Sequence, residues 1–131
     1  MATLRKELRL GTAPERVWDA VRDVGALHTR LVPGFVLDTR MEGDVRVVTF
    51  ANGLVAREPI VTLDDAGRRL VWSAAGGRTT HYNAAVEVIA EGAGTRLVWT
   101  IDLLPNEMAG PVGAMQDQAI AAMKRALERA A

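Results

Sequence analysis

The stretch that most constrains the fold is the last one, Pro111 to Ala131, PVGAMQDQAIAAMKRALERAA. At 100° per residue, Val112, Met115, Ala119, Ala122, Met123, Ala126, Leu127 and Ala130 share one side of a helix. Asp117, Gln118, Lys124, Arg125, Glu128 and Arg129 share the other. Pro111 suits the first turn, where its missing N–H has no intrahelical partner to lose. A helix with one long apolar side must lay that side on something. Nearly everything before it reads as short strands broken by Gly, Asn and Asp turns, so the expected partner is a sheet wrapped around the helix.

In chain order, residues 3–10 alternate in part, with Leu4, Lys6, Leu8 and Leu10 against Arg5, Glu7 and Arg9, and predict a first strand. Gly11 to Glu15 then opens a helix, with Thr12 or Ala13 near the N-cap and Pro14 in the first turn. Its apolar side is Val17, Trp18 and Val21. A second short helix spans Ala26 to Val32 and stops at Pro33-Gly34. From Phe35 the period becomes two. Strands are expected at 35–41, 44–51, 54–63, 69–75, 79–90 and 95–104, with Asn52-Gly53 as the sharpest hairpin signal.

The last hairpin can be checked internally. A four-residue loop at 91–94 pairs Ala90 with Thr95, Val88 with Leu97, Val86 with Trp99, Ala84 with Ile101 and Tyr82 with Leu103. One face becomes continuously apolar, and Glu87, Asn83, Arg96 and Asp102 fall on the other. Turn length and face agree. Asn106 then caps a brief turn through Met108 before the main helix.

Composition removes several classes of function. With 131 residues the chain is read as one domain, residues 1–131, with a single core. Sixteen basic and sixteen acidic residues cancel, so the field of a nucleic-acid binder is missing. No cysteine is present, which excludes disulfides, thiolate nucleophiles and cysteine metal sites, and two histidines make zinc improbable. The charged opening ATLRKELRL does not suit a signal peptide, and no apolar run reaches the roughly 18 residues that span a bilayer. A cytoplasmic protein without membrane insertion is expected, and the Arg- and Ala-rich composition suggests a bacterial source.

At residue level, Ala13-Pro-Glu-Arg-Val-Trp18, Leu31-Val-Pro-Gly-Phe35, Thr49-Phe-Ala-Asn-Gly53, His81-Tyr-Asn-Ala84 and Leu97-Val-Trp-Thr100 resemble the SRPBCC superfamily. This START-like group includes polyketide cyclase/dehydrase-type proteins and the birch-pollen allergen family. The resemblance covers essentially the whole chain. It implies an α+β helix-grip fold: a curved antiparallel sheet of about seven strands around the C-terminal helix, with two short helices after the first strand. It also implies a deep cavity between sheet and helix, closed at one end by the two short helices. Fold alone does not settle chemistry.

Several residues are candidates for that cavity. Gln116 falls inside the helix's apolar arc, where a buried amide needs a partner; the opposing reading has it solvated near the helix start. Met108, Met115 and Met123 suit an adaptable wall, although the same spacing makes plain core. Trp18, Trp72 and Trp99 are core-sized, with Trp72 expected nearest a ligand. Alternation sends Tyr82 inward and His81 with Asn83 outward, unless the sheet curves oppositely there, in which case His81 and Asn83 line the pocket. The expected ligand-binding set is completed by Trp99, Ala119 and Met123.

Two residues are candidates for acid–base chemistry. His28 lies in the second short helix beside the expected mouth, and its opposing reading is a partly exposed helix histidine. Glu58 shares a row with Leu54, Ala56, Ile60 and Thr62. Buried, it would need an arginine, with Arg30 or Arg40 expected, and would be a site candidate. If the odd row faces inward instead, Glu58 is solvated. Pro59 marks this strand as irregular or at an edge.

The leading functional expectation is binding of a small apolar or amphipathic molecule, with no cofactor and no metal. A cyclase/dehydratase-like enzyme using His28 or Glu58 in the same cavity is the second reading. The third is an interaction protein, present as a homodimer or bound to a partner, where the binding protein itself is a monomer or homodimer.

Overall fold

The computed structural model describes residues 1–75 and 77–129. Strand β1 (Ala2–Leu10) leads into helix α1 (Pro14–Arg22), a 3-10 turn (Val24–Ala26) and a π-helical turn (Leu27–Leu31). Strands β2 (Val36–Glu42), β3 (Val45–Phe50), β4 (Val55–Asp64), β5 (Arg69–Ser73), β6 (His81–Glu91) and β7 (Gly94–Leu104) follow. A 3-10 turn (Asn106–Met108) then opens into helix α2 (Ala109–Arg129). The strands form one antiparallel sheet in the order β1-β7-β6-β5-β4-β3-β2. A meander of six strands is thus closed by β1 against β7. The helix-grip architecture expected from the sequence is the one observed.

The β6–β7 register matches the expectation pair for pair, from Tyr82 opposite Leu103 to Ala90 opposite Thr95. The strands run further than expected, to Glu91 opposite Gly94, so only Gly92 and Ala93 turn the chain. Gly92 alone of these two has positive φ (61°), as a type II′ turn requires. Gly94 is needed for a different reason. A Cβ there would lie 2.3 Å from the carbonyl oxygen of Leu10, where β1 crosses close by.

The β3–β4 hairpin differs from a two-residue Asn-Gly turn. Phe50 N–H donates to Leu54 O, and residues 51–53 form the loop, ended by Gly53 at φ 88°. That extra residue sets Arg46 opposite Glu58 and Val48 opposite Ala56. Beyond Pro59 the β4–β5 register shifts between Ile60 and Thr62. The irregularity expected at Pro59 is therefore present, but β4 is an interior strand and the edge alternative is corrected. A bulge accommodates the missing N–H there.

Helix α2 buries Gly113, Gln116, Ala119, Ala122, Met123 and Leu127. Val112, Met115 and Ala126 flank that stripe half-buried, and Ala130 lies outside the described residues. The helix packs along β1 and is pinned at both ends. Near its start, Lys6 Nζ donates to Gly113 O (3.1 Å). At its end the Thr12 hydroxyl donates to Leu127 O (3.0 Å), one of the carbonyls a helix terminus leaves without a partner. Thr12 thus caps the far helix, while Ala13 takes the N-cap position of α1 without a side-chain hydrogen bond.

Candidate functional site

Between the concave face of the sheet, the first half of α2 and the π-helical turn lies a cavity of about 210 Å³. Strand parity builds its sheet wall. Tyr82 and Val86 of β6, Leu70 and Trp72 of β5, and Trp99 and Ile101 of β7 point inward. From β4 come Ala56 and Glu58, with Leu54 just before it, the even row that contains Glu58 in the sequence pattern. Met115, Gln116, Ala119 and Met123 form the helix wall, with Met108 just before it. The tryptophans Trp72 and Trp99 lie 6.3 Å apart between ring centroids, tilted by 44°.

Glu58 is buried, with 7% of its surface exposed, and its partner is Arg46, at 2%. Arg46 Nε and a terminal guanidinium nitrogen both lie 2.9 Å from Glu58 Oε1. Oε2 has no hydrogen-bond partner among the described residues. The guanidinium also sits 5.2 Å from the Trp72 ring centroid, within cation–π range. Burial pushes the Glu58 carboxyl above the ordinary carboxylate range, opposed by the charge and hydrogen bond of Arg46. Burial likewise pushes the Tyr82 hydroxyl up, reinforced by the Glu58 charge and opposed by Arg46. Arg46, Glu58 and Tyr82 are therefore one electrostatic cluster in the wall.

The expected partners of Glu58 are corrected. Arg30 pairs with Asp19 and Asp23 on the outside of the short helices, and Arg40 pairs with Glu42 in its own strand. Arg46 escaped the sequence reading. Its signal was present: it is the one charge in the run VRVVTF, and a three-residue loop at 51–53 places it directly across from Glu58.

His81 and Asn83 are corrected as well. They project from β6 on the face opposite Tyr82, where Asn83 stands across from Asp102, and neither lines the cavity. His28 is also not in the wall. Leu27 and Leu31 turn inward from the π-helical turn, and His28, one residue on, leaves its Nδ1 buried without a partner. The cavity thus brings Glu58 together with Tyr82 and not with His28.

Gln116 is 1% exposed, with its amide nitrogen donating to Trp99 O (3.2 Å). Gln116 Oε1 and the indole nitrogens of Trp72 and Trp99 are buried with no hydrogen-bond partner. Trp18, by contrast, uses its indole N–H on Asp65 (2.9 Å), in the turn between β4 and β5. At the mouth, Arg78 is exposed and has no partner among the described residues. No group of three or more potential metal ligands exists among the described residues, and no helix among them is long and apolar enough to cross a membrane.

A seven-stranded sheet gripping a long terminal helix around an apolar hollow is the plan of the SRPBCC, birch-pollen-allergen-like proteins. The chain belongs to the family of polyketide cyclase / dehydrase and lipid transport proteins, whose model matches residues 1–131. No curated protein matches the chain. Among solved structures it is similar to XoxI from Bacillus cereus at 18% identity, with TM-score 0.85, covering 97% of this chain and 96% of that one. It is similar to a protein from Thermobifida fusca at 26% identity, TM-score 0.80, covering 98% and 91%. The structure of Ara h 8.0201 aligns at 17% identity and TM-score 0.76, covering 96% and 97%.

Proposed function

We propose that this protein binds a small, largely apolar molecule between the sheet and α2. The carrying observation is the open cavity of about 210 Å³ at the position where a packed core would otherwise lie. Its wall is mostly Leu, Ile, Val, Met and aromatic side chains, so removing an apolar guest from water supplies about 25 cal/mol per Å² before ordering costs. The size supports a molecule of one or two fused rings, since an apolar cavity of about 150 Å³ already takes up benzene. The family description, with its mention of lipid transport, supports the same reading.

Native mass spectrometry of protein purified from its own host tests this by looking for a bound small molecule. Ligand-observed NMR with naphthalene tests it directly. Naphthalene is expected to bind, and Ala56→Phe, which fills the space from the sheet side, is expected to abolish binding while the fold persists. Equal binding to wild type and Ala56→Phe would place the guest elsewhere.

A further inference from the structure

We propose that the cavity selects an uncharged ring compound carrying a hydroxyl group, with that O–H donated to Glu58 Oε2, and rejects carboxylates of the same shape. This rests on the binding reading above and specifies its ligand. Three features of the wall lead to it. First, the one cation buried in the wall is already neutralised: both contacts of Arg46 converge on Glu58 Oε1. Arg46 is further covered by the Trp72 ring. A ligand anion would meet no free positive charge inside and would lie beside the Glu58 carboxylate, where like charges repel at low dielectric. Second, the convergence on one oxygen leaves the other, Oε2, as an unpartnered acceptor. Third, the remaining orphans of the wall are of both kinds, the acceptor Gln116 Oε1 and the donor indole N–H groups of Trp72 and Trp99, and a hydroxyl, which both donates and accepts, suits such a wall.

The Tyr82 hydroxyl faces the same cluster and makes no hydrogen bond to a described residue, so it can accept from or donate to a second ligand oxygen. Arg78, the remaining cation of the wall, is exposed at the mouth, where water screens it and interior selectivity is not decided.

The test compares three ring-matched probes at neutral pH: naphthalene, 2-naphthol and 2-naphthoate. Each is titrated into wild type, Glu58→Gln and the double variant Arg46→Met/Glu58→Leu. In wild type, 2-naphthol is expected to bind at least about tenfold more tightly than naphthalene, the worth of a hydrogen bond to a charged acceptor, and 2-naphthoate more weakly than naphthalene. Glu58→Gln frees the Arg46 charge, so the order should invert and 2-naphthoate become the tightest. The double variant removes both charges at similar volume and keeps the protein testable if Glu58→Gln does not fold. In it, 2-naphthol and naphthalene should bind alike. If naphthalene binds wild type and 2-naphthol binds no better, or if the hydroxyl preference survives in the double variant, the inference is overturned and the apolar-binding reading stands. If none of the three binds wild type, that underlying reading falls.

Discussion

The two ends of the sheet's concave face are built from opposite materials. Where β1, β6 and β7 meet the C-terminal half of α2, the inward residues are Leu8, Val88, Leu97 and Leu127, and the last three are exposed by 3% or less. They fill the space with each other. Where β3 and β4 curve away, Val48 is still packed in the core, but Arg46, Ala56 and Glu58 face open space. Placing a charge pair beside a void costs desolvation, and the void forfeits packing contacts. The packed end offsets both. The difference teaches that stability and selectivity are divided along the length of one sheet, so each can be perturbed separately.

The largest expected effect comes from splitting the buried pair. Arg46→Met alone leaves the Glu58 carboxylate buried without its cation and should cost about 3–5 kcal/mol in urea unfolding. The double variant Arg46→Met/Glu58→Leu should recover nearly all of that loss, because a well-packed apolar pair replaces two desolvated charges. Equal losses in the single and double variants would show that the two side chains do not act together. Next comes truncation at the packed end. Leu97→Ala, at a residue 0% exposed, should cost about 2–5 kcal/mol through the cavity it creates. Met115→Ala, at a half-buried residue already bordering open space, should cost about 1 kcal/mol. If the two truncations cost the same, the ends are not materially different.

The packed end was legible in the sequence because its hairpin has a short loop and an unbroken alternation. A one-residue slip from Val88 opposite Leu97 would have split the apolar face. The hollow end was less legible for two local reasons. The Asn52-Gly53 signal marks a turn but not whether two or three residues close it, and that one residue decides which side chain faces Glu58. The register shift between Ile60 and Thr62 then breaks the period-two count, so the row of Glu58 does not continue to Thr62. On β6 the opposite held. Parity alone placed Tyr82 inward and His81 outward, and the Gly-Gly break before the strand did not disturb it. His28 could not be placed from sequence, because a π-helical turn sets its side chains at a spacing that α-helical counting does not follow.

The pH dependence distinguishes the buried pair from the exposed ones. The Arg40 hydrogen bond, with Arg57, holds the exposed Glu42 carboxyl below its ordinary range, and Arg22, with Trp18, does so for Asp65. Such groups contribute stability above the unfolded pKa that is lost as pH falls through the folded one. Glu58 has the opposite sign. Its raised pKa means the folded state holds the proton longer, so its contribution is present at acid pH and lost as pH rises through the folded value. Removing the pair should therefore make stability climb more steeply from about pH 4.5 upward than in wild type, by at most about 1.4 kcal/mol per pH unit. Parallel curves for wild type and the double variant would show that Glu58 titrates alike in both states.

The smallest effect is expected at an ion pair on the outer side of the seam between β1 and the first half of α2. Lys6 Nζ contacts Asp117 across the β1–α2 seam, with the two side chains 27% and 66% exposed. Lys6 also donates to Gly113 O, so replacing the lysine would remove two interactions at once. Asp117→Asn removes the charge pair alone. If α2 is held by burial of Ala119, Met123 and Leu127, this variant should lose no more than about 1 kcal/mol, and the loss should vanish near 1 M salt, where screening acts over about 3 Å. A loss of several kcal/mol that persists in high salt would mean that the helix is clamped by charge rather than by packing, and the contrast between the two ends would then have to be redrawn around this seam.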